Sequence, residues 1–200
     1  MLKKILIAVV VLFVVVFIAW LAAAPVEKFK AGDSIATMTL VNIHGVEVSI
    51  PNTKSKFTHL QFRRFAGCPI CNLHLQTIIQ RHKEIEAAGI SEVVVFHSPN
   101  SSLLLYQGKF PFNVIGDPEK KLYAQFGVGA SVFAILDVRA WPAIAKGNSD
   151  KNKPTAEPEG GVTGLPADFL INAEGKIVAS HYGRHSYDQW TVDELLALAK

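Results

Sequence analysis

The chain has 200 residues and a mass of 21.8 kDa, half of its residues are hydrophobic, and its formal net charge is +3. With 14 glycines, 10 prolines and 2 cysteines, it is neither a disordered chain, a collagen-like repeat nor a disulfide-stapled miniprotein. Two of the 20 Lys and Arg residues, Lys3 and Lys4, precede residue 25, which leaves 18 against 17 Asp and Glu in the remainder. We therefore expect no nucleic-acid partner, because such a protein needs a basic surplus.

The amino-terminal segment is predicted to be a membrane anchor. Ile5 to Ala24 form a run of twenty residues without a charged side chain, which is the length of one transmembrane helix. Ala22-Ala23-Ala24 also resembles the end of a cleavable signal peptide, but the run is longer than the usual apolar region and Pro25 would follow the cut. Lys3 and Lys4 favour a cytoplasmic amino terminus. We expect residues 1–24 to be a retained transmembrane helix, with the domain on the other side, in a periplasmic or similar extracytoplasmic space.

Residues 37–200 are predicted to form one domain, joined to the anchor by a linker over residues 25–36. Hydrophobic periodicity and turn residues predict alternating strands and helices in its first half. In chain order they are a hairpin of Thr37–Ile43 and Val46–Ile50, a strand Phe57–Phe62, a helix Pro69–Ala88 that ends at Gly89, a strand Glu92–His97, a strand Asn113–Gly116 and a helix from Asp117-Pro118 to Phe126.

The second half of the domain is predicted to continue with helices and to end in a hairpin and a helix. Its elements are a helix Ser131–Lys146 with a break allowed at Pro142, a loop Gly147–Gly164, a hairpin of Asp168–Asn172 and Lys176–His181, and a last helix introduced by the capping box of Thr191 and Glu194. This order predicts an α/β fold in which helices flank a mixed central sheet.

The two cysteines of the chain lie together in Gly67-Cys68-Pro69-Ile70-Cys71, between a predicted strand and a predicted helix. Cys68 would cap the helix and Pro69 would be its first residue. Unpaired backbone N–H groups and the helix dipole lower the pKa of a thiol there from its ordinary value of about 8.5. We therefore expect Cys68 to attack and the more shielded Cys71, one turn deeper, to resolve the mixed disulfide. Arg63 and Arg64 are candidates for added positive potential.

Two other interpretations of the cysteine pair are weaker. A purely stabilising disulfide is disfavoured, because a loop this short removes little chain entropy. A metal site recruiting His74 lacks a full ligand set, and Asn72 after Cys71 excludes the haem attachment pattern. We therefore expect redox chemistry without a metal or cofactor, with a metal-binding redox module as a lesser alternative.

Three further features are candidates for supporting roles. His97 ends the strand predicted to lie beside the Cys68 strand, so both reach the same edge of the sheet. Asp168 is expected either near Cys71, where it would relay protons, or on an edge strand. The loop Gly147–Gly164 directly precedes Leu165 and Pro166 and is predicted to act as a lid.

Cys68 to Cys71 at the start of a helix, followed far downstream by the stretch Gly164 to Ile177, resembles the thioredoxin-like superfamily over roughly residues 30 to 200. The amino-terminal hairpin and the Asp117 to Gly127 segment resemble its peroxiredoxin-like branch, the alkyl hydroperoxide reductase and thiol-specific antioxidant family. The resemblance implies a thioredoxin-like fold and a cis peptide bond before Pro166. It also implies that Leu165 and Pro166 form a platform on which a substrate polypeptide pairs.

The residues depart from the peroxidatic pattern of that branch. Where the resemblance implies a threonine, a proline and an arginine, this chain has Phe65, Gln61 and Pro166. Arg139 and Arg184 are the candidates to supply the missing guanidinium. The sequence therefore favours dithiol–disulfide exchange with thiol or disulfide substrates, either proteins or small molecules, and leaves thiol-dependent peroxide reduction as the alternative.

Overall fold

The computed structural model describes residues 9–14, 27–149 and 157–200. Residues 9–14 are helical, but no helix within the described parts of the chain has both the length and the apolar character needed to cross a bilayer. Most of the predicted anchor, residues 1–24, lies outside these parts. The elements are β1 (Met38–Val41), β2 (Glu47–Ile50), β3 (Phe57–Arg63), α1 (Pro69–Gln80), α2 (His82–Ala87), β4 (Ile90–Phe96), α3 (Asn100–Gln107), β5 (Asn113–Gly116), α4 (Lys121–Gln125), α5 (Phe133–Leu136), a 3-10 turn (Val138–Ala140), α6 (Trp141–Ser149), β6 (Ala167–Asn172), β7 (Ile177–Tyr182) and α7 (Val192–Leu198).

A five-stranded mixed sheet forms the centre of the fold, in the order β5-β4-β3-β6-β7. β3, β4 and β5 are parallel, whereas β6 runs antiparallel to β3 and β7 antiparallel to β6. β1 and β2 form a separate antiparallel hairpin. The α/β class, the mixed sheet and the amino-terminal hairpin are therefore as predicted.

Apolar side chains cover both faces of the sheet. Alternate residues of β4 point to opposite faces, so Val93 and Val95 join one cluster and Val94 and Phe96 the other. The first cluster includes residues of the hairpin, of the α4 region and of β6, such as Ile50, Phe126 and Phe169. The second packs α1, α2 and α7 on the sheet through Leu75, Ile78, Ile85 and Leu195. β3 is the middle strand, and its carboxyl end leads into the cysteine pair.

The helices of the first half differ from the prediction in two places. The helix predicted over Pro69–Ala88 is interrupted at Arg81, whose φ of −108° and ψ of 15° separate α1 from α2. At this break the Arg81 side chain forms ion pairs with Glu84 of α2 and with Asp193 of α7. Helix α3 was not predicted, because only Leu103 and Gln107 of its eight residues are buried and the pattern lacks a clear apolar stripe.

The boundaries of α4 and of the Ser131–Lys146 helix also differ from the prediction. Asp117 does cap α4, since its carboxylate accepts from the backbone N–H groups of residues 121, 122 and 123, but the helix begins at Lys121 after a left-handed Lys120. The chain beyond Ser131 forms α5, a 3-10 turn and α6. The break falls at the extended Asp137 and not at Pro142, which lies in the first turn of α6, where a missing N–H is tolerated.

The carboxyl-terminal predictions are confirmed. β6 and β7 form the expected hairpin, and Thr191 and Glu194 form a capping box at the start of α7.

Candidate active site

Cys68 and Cys71 form a disulfide at the first turn of α1, with their Cα atoms 5.3 Å apart. Cys68 is the N-cap residue, and its sulfur accepts a hydrogen bond from the backbone N–H of Cys71 at 3.3 Å. Pro69 lies in the first turn, where it loses no helical hydrogen bond. The capping geometry predicted from the local sequence is therefore present, and it directs backbone N–H dipoles toward the Cys68 sulfur.

Both cysteines are buried. Cys68 is fully buried and Cys71 is 5% exposed, so neither sulfur is open to solvent in the disulfide form. The disulfide belongs to a small apolar cluster with Phe65 and Ile70, against which Ile144 packs. Local sequence does not reveal this burial, because the covering side chains lie more than 70 residues further along the chain.

Helix α6 forms the cover over the disulfide. A β-carbon placed on Gly147 would lie 3.2 Å from the carbonyl carbon of Pro69 and 3.3 Å from Ile70, so α6 approaches the first turn of α1 at backbone distance. The predicted loop Gly147–Gly164 therefore starts within a helix. Residues 150–156 of that loop lie outside the described part, and its later residues return to the site at Val162.

Arg64 is the cation that touches the redox centre. Its Nη2 donates to the Cys68 sulfur at 3.1 Å, and its Nη1 donates to the carbonyl oxygen of Val162 at 2.8 Å. Burial lowers the pKa of Arg64 to about 10. In the described residues no carboxylate forms an ion pair with this guanidinium. Arg64, one of the two arginines predicted to add positive potential, therefore takes that position. Arg139 and Arg184, the candidates for the missing peroxide-orienting guanidinium, are exposed and bind Asp137 and Asp188 instead.

Arg63, the other arginine proposed for this role, points away from the disulfide. It is buried, and its guanidinium binds Asp168 at 2.7 Å and the side-chain oxygen of Gln61 at 2.6 Å. Adjacent residues of a strand project to opposite faces, so only one of two neighbouring arginines can face the sulfur. The strand geometry selects Arg64.

A buried polar network surrounds Arg63 on β3, β4 and β6. His59 lies between Glu92, at 2.9 Å, and Asp168, at 3.3 Å, and Gln61 also donates to Glu92. Burial by itself lowers the pKa of His59, but the two carboxylates outweigh it and raise that pKa to about 9. Burial likewise raises the pKa of Asp168, yet Arg63 and His59 outweigh it and hold that pKa well below its usual range. The network therefore pairs two cations with two carboxylates.

Asp168 is a member of this network and is not an edge-strand carboxylate. β6 lies between β3 and β7, and the Asp168 side chain is fully buried. Its second oxygen accepts from the backbone N–H of Trp190. The sequence did contain a signal for the network: His59, Gln61 and Arg63 alternate along β3, which places three polar side chains on one face of a strand that is buried on both.

His74 lies one turn after Cys71 and adjoins the same network. Burial lowers its pKa to about 3, with a further lowering by the charge of Arg63. Its Nε2–H donates to the carbonyl oxygen of Trp190 at 2.9 Å, and Nδ1 has no hydrogen-bond partner in the structure. His74 is therefore a neutral imidazole at physiological pH.

His97 reaches the predicted edge of the sheet but does not bind the disulfide. Burial, and secondarily the charge of Lys120, lower its pKa to about 4. Its ring packs near Phe65 and Tyr123 and lies against Gly164, which also contacts Arg64. His97 is therefore a neutral imidazole at neutral pH, and the groups that donate to the Cys68 sulfur are Arg64 and the backbone N–H of Cys71.

The predicted platform at Leu165 and Pro166 is corrected in two respects. The Leu165–Pro166 peptide bond is trans, whereas the cis bond among the described residues precedes Pro51. The Leu165 N–H donates to the carbonyl oxygen of Gly129 at 3.1 Å, beside a bridge between Ala130 and Gly164. The backbone that the resemblance left free for a substrate is thus already paired within the chain.

Leu165 and Pro166 instead line a cavity of about 570 Å³ on the His97 side of this segment. Lys28 and Lys120 also line it, and Cys68 does not. For the parts of the chain that the structure describes, no cluster of three or more His, Cys, Asp or Glu side chains is arranged to hold a metal ion.

A sequence model of the AhpC/TSA antioxidant enzyme family matches residues 77–185, more than half of the chain. The chain belongs to the AhpC/TSA family. The matched region begins after the cysteine pair and contains His97, Leu165, Pro166 and Asp168. Comparison with curated proteins found no match.

Solved structures share the fold of this AhpC/TSA protein at low sequence identity. The peroxidoxin BcpB of Mycobacterium tuberculosis is 19% identical, with a TM-score of 0.63 over 86% of this chain and 97% of that one. The reduced 2-Cys peroxiredoxin of Plasmodium vivax is 11% identical, with a TM-score of 0.61 over 86% and 81%. A Chlorobium tepidum protein assigned as a thiol:disulfide interchange protein DsbE is 17% identical, with a TM-score of 0.56 over 87% and 100%. The fold is therefore thioredoxin-like. As a member of the AhpC/TSA family of antioxidant enzymes, the chain is a thioredoxin-like oxidoreductase.

Proposed function

We propose that this AhpC/TSA protein is a membrane-anchored thiol–disulfide oxidoreductase whose redox centre is the Cys68–Cys71 pair. The observation that carries the proposal is the buried Arg64 guanidinium, which donates to the Cys68 sulfur and has no carboxylate partner in the described residues. A buried cation needs a nearby anion, since burying an unpaired charge is costly. When the disulfide is reduced, the thiolate of Cys68 supplies that anion, which makes Cys68 the attacking sulfur.

The exchange proceeds through a mixed disulfide. The Cys68 thiolate attacks one sulfur of a substrate disulfide, that bond breaks, and the leaving thiolate takes a proton from solvent. Cys71 then attacks the Cys68 sulfur, forms the intramolecular disulfide and releases the second substrate thiol. The substrate gains two electrons and two protons, and the chain returns to the oxidised form seen here. A dithiol donor reverses these steps to regenerate the reduced pair.

Substrate reaches the sulfurs only after α6 moves. Both cysteines are buried in the disulfide form, and Gly147 allows α6 to pack directly against Pro69 and Ile70. An accessible sulfur is required for in-line attack, so the reaction includes an opening step. The thioredoxin-like neighbour assigned to thiol:disulfide interchange supports this class of reaction.

Trapping of the mixed disulfide tests the proposal. The reduced Cys71→Ser protein should form a stable 1:1 adduct with glutathione disulfide at Cys68, detected by mass spectrometry, because the resolving thiol is missing. Cys68→Ser should form no adduct, and the wild-type protein should release glutathione and reoxidise. An adduct that forms equally well on Cys71 in the Cys68→Ser variant would contradict the assigned roles.

Peroxide reduction is a second candidate, favoured by the position of Arg64 and by the antioxidant enzymes of the family. Cys68 would be oxidised to a sulfenic acid, with water released, and Cys71 would then close the disulfide. Phe65 offers no hydroxyl to orient the peroxide. Stopped-flow mixing of the reduced protein with hydrogen peroxide separates the two functions: a rate no faster than that of free cysteine excludes the peroxidase.

Anchoring by Ile5 to Ala24 and a domain outside the cytoplasm belong to the same proposal. The length of the apolar run supports a membrane span, and a redox-active disulfide suits an oxidising compartment. Alkaline extraction of membranes should leave the protein in the pellet. An alkaline phosphatase fused after Lys200 should be active, since that enzyme requires export; an inactive fusion with normal expression would place the domain in the cytoplasm.

A further inference from the structure

Five large apolar side chains between residues 132 and 141 point away from the domain. Each is between 56% and 73% exposed, and we call them the apolar patch: Val132, Phe133, Leu136, Val138 and Trp141. The inward positions of the same segment hold small residues, Ala134 and Ala140, both fully buried. A surface segment of a water-soluble domain has the opposite arrangement, and an exposed apolar cluster marks an interaction surface.

The segment that carries the apolar patch is fixed to the domain. Phe133 and Leu136 are three residues apart on α5, so they share a helix face. The carbonyl oxygen of Ala134 accepts from both the backbone N–H and the hydroxyl of Ser186, at 3.1 and 3.0 Å. Asp137 and Arg139 pair with each other within the segment, which leaves it without net charge. The apolar patch is therefore presented on a defined surface.

The apolar patch is joined by a short stretch of chain to the point where the apolar run enters the domain. The carbonyl oxygen of Glu27 is 2.7 Å from where a β-carbon on Gly127 would lie. Glu27 is three residues after Ala24, and Val132 is five residues after Gly127. An extended chain spans no more than about 3.5 Å per residue. Three residues therefore keep the end of the run within roughly 10 Å of Glu27, and five residues keep the start of the apolar patch within roughly 18 Å of Gly127. A bilayer that holds the run is thus within reach of the apolar patch.

We propose that the apolar patch docks into the headgroup region of the same membrane that holds the amino-terminal run. This inference rests on the anchoring part of the proposed function. Apolar side chains on a short helical segment lie in the plane of the interface, and tryptophan favours that depth. Trp141 is also the first residue of α6, so the docked segment is continuous with the helix that covers the disulfide. Docking orients the covered side of the redox centre toward the lipid.

Tryptophan quenching by brominated lipid tests the docking in the full-length protein. The protein is reconstituted into phosphatidylcholine nanodiscs, with or without bromine on the upper part of the acyl chains. The emission of the wild-type protein minus that of Trp141→Phe isolates the Trp141 signal. Docking predicts at least a twofold lower Trp141 signal in the brominated lipid. Equal signals in both lipids would overturn the inference.

Matched variants test whether the apolar patch drives the docking. In a Phe133→Ser/Leu136→Ser protein, most of the quenching of Trp141 should be lost. The control Val41→Ser/Val46→Ser replaces two exposed apolar side chains of the β1–β2 hairpin and should leave the quenching unchanged. Quenching that persists at the wild-type level in the first variant would also overturn the inference.

Insertion of the anchor is measured independently by the quenching of Trp20. The emission of the wild-type protein minus that of Trp20→Phe isolates the Trp20 signal, in lipid brominated near the ends of the acyl chains. If Trp20 is quenched and Trp141 is not, the docking fails and the anchoring stands. If neither is quenched, both fail. The Trp141 signal could instead be the same in both lipids but change with the ratio of protein to lipid. That result would show that a second copy of the chain covers the apolar patch, which again overturns the inference.

Discussion

Replacing Arg64 by methionine removes the cation that donates to the Cys68 sulfur. Methionine has a similar length and suits the apolar surroundings, and the change leaves no buried carboxylate without its partner, because Arg64 has none in the described residues. The loss of the hydrogen bond to Val162 is the remaining structural cost. We therefore expect the variant to fold, and its chemistry to report on the Cys68 thiolate.

The magnitude follows from the contact at 3.1 Å between Nη2 and the sulfur. A hydrogen bond to a charged group contributes about 1.5 to 3 kcal/mol, and 1.36 kcal/mol corresponds to about one pH unit. The midpoint of Cys68 alkylation in the reduced protein should therefore move upward by about 1 to 2 pH units. Because the reduced form loses the same free energy, the reduction potential should fall by roughly 30 to 60 mV.

The assay measures iodoacetamide alkylation of reduced Cys68 over a series of pH values, with mass spectrometry to separate Cys68 from Cys71. Arg64→Lys keeps the charge and should retain part of the effect. Arg184→Met, which changes an exposed arginine that pairs with Asp188, is the control and should match the wild-type protein. A folded Arg64→Met protein with the wild-type midpoint would refute the assignment of Arg64 as the counter-charge of Cys68.

Three further predictions concern the cover, the loop beside Pro166 and the buried histidine. Gly147→Val should speed reduction of the disulfide by a phosphine at least about fivefold, since overpacking of about 1 kcal/mol or more displaces α6; an unchanged rate would mean that α6 does not control access. Gly183→Ala should lower the free energy of unfolding by about 1 to 3 kcal/mol, because its β-carbon would lie 2.7 Å from Pro166 Cγ, whereas Gly129→Ala, with open space at that position, should be neutral in thermal unfolding and in disulfide reduction alike. His74 takes up a proton near pH 6.5 when the chain is unfolded but only near pH 3 when it is folded, so the free energy of unfolding falls as the pH drops below 6.5. Between pH 7 and pH 5 the wild-type protein should lose about 2 kcal/mol more of this free energy than His74→Asn. Equal losses in denaturant titrations would contradict the buried neutral state of His74.

The features that depend on neighbouring residues were predictable from the sequence. The capping of α1 by Cys68 and Pro69, the capping box of α7 and the β-branched run of β4 each depend on a few adjacent residues. The mixed sheet followed from the order of these elements, because short connections leave few topologies. The cysteine spacing at a helix start likewise sufficed to indicate a thioredoxin-like oxidoreductase.

The environment of the cysteines was decided by the tertiary structure. Whether Arg63 or Arg64 faces the sulfur depends on the exact end of β3 and on Val162, which lies almost one hundred residues away. The burial of Cys68 depends on α6, and the pairing of the Leu165 N–H depends on Gly129, so neither follows from the local sequence. Local propensity and periodicity act over a few residues and fix the elements and their order. Contacts between distant segments fix which side chains are buried and which charges meet, and these contacts set the reactivity of the disulfide.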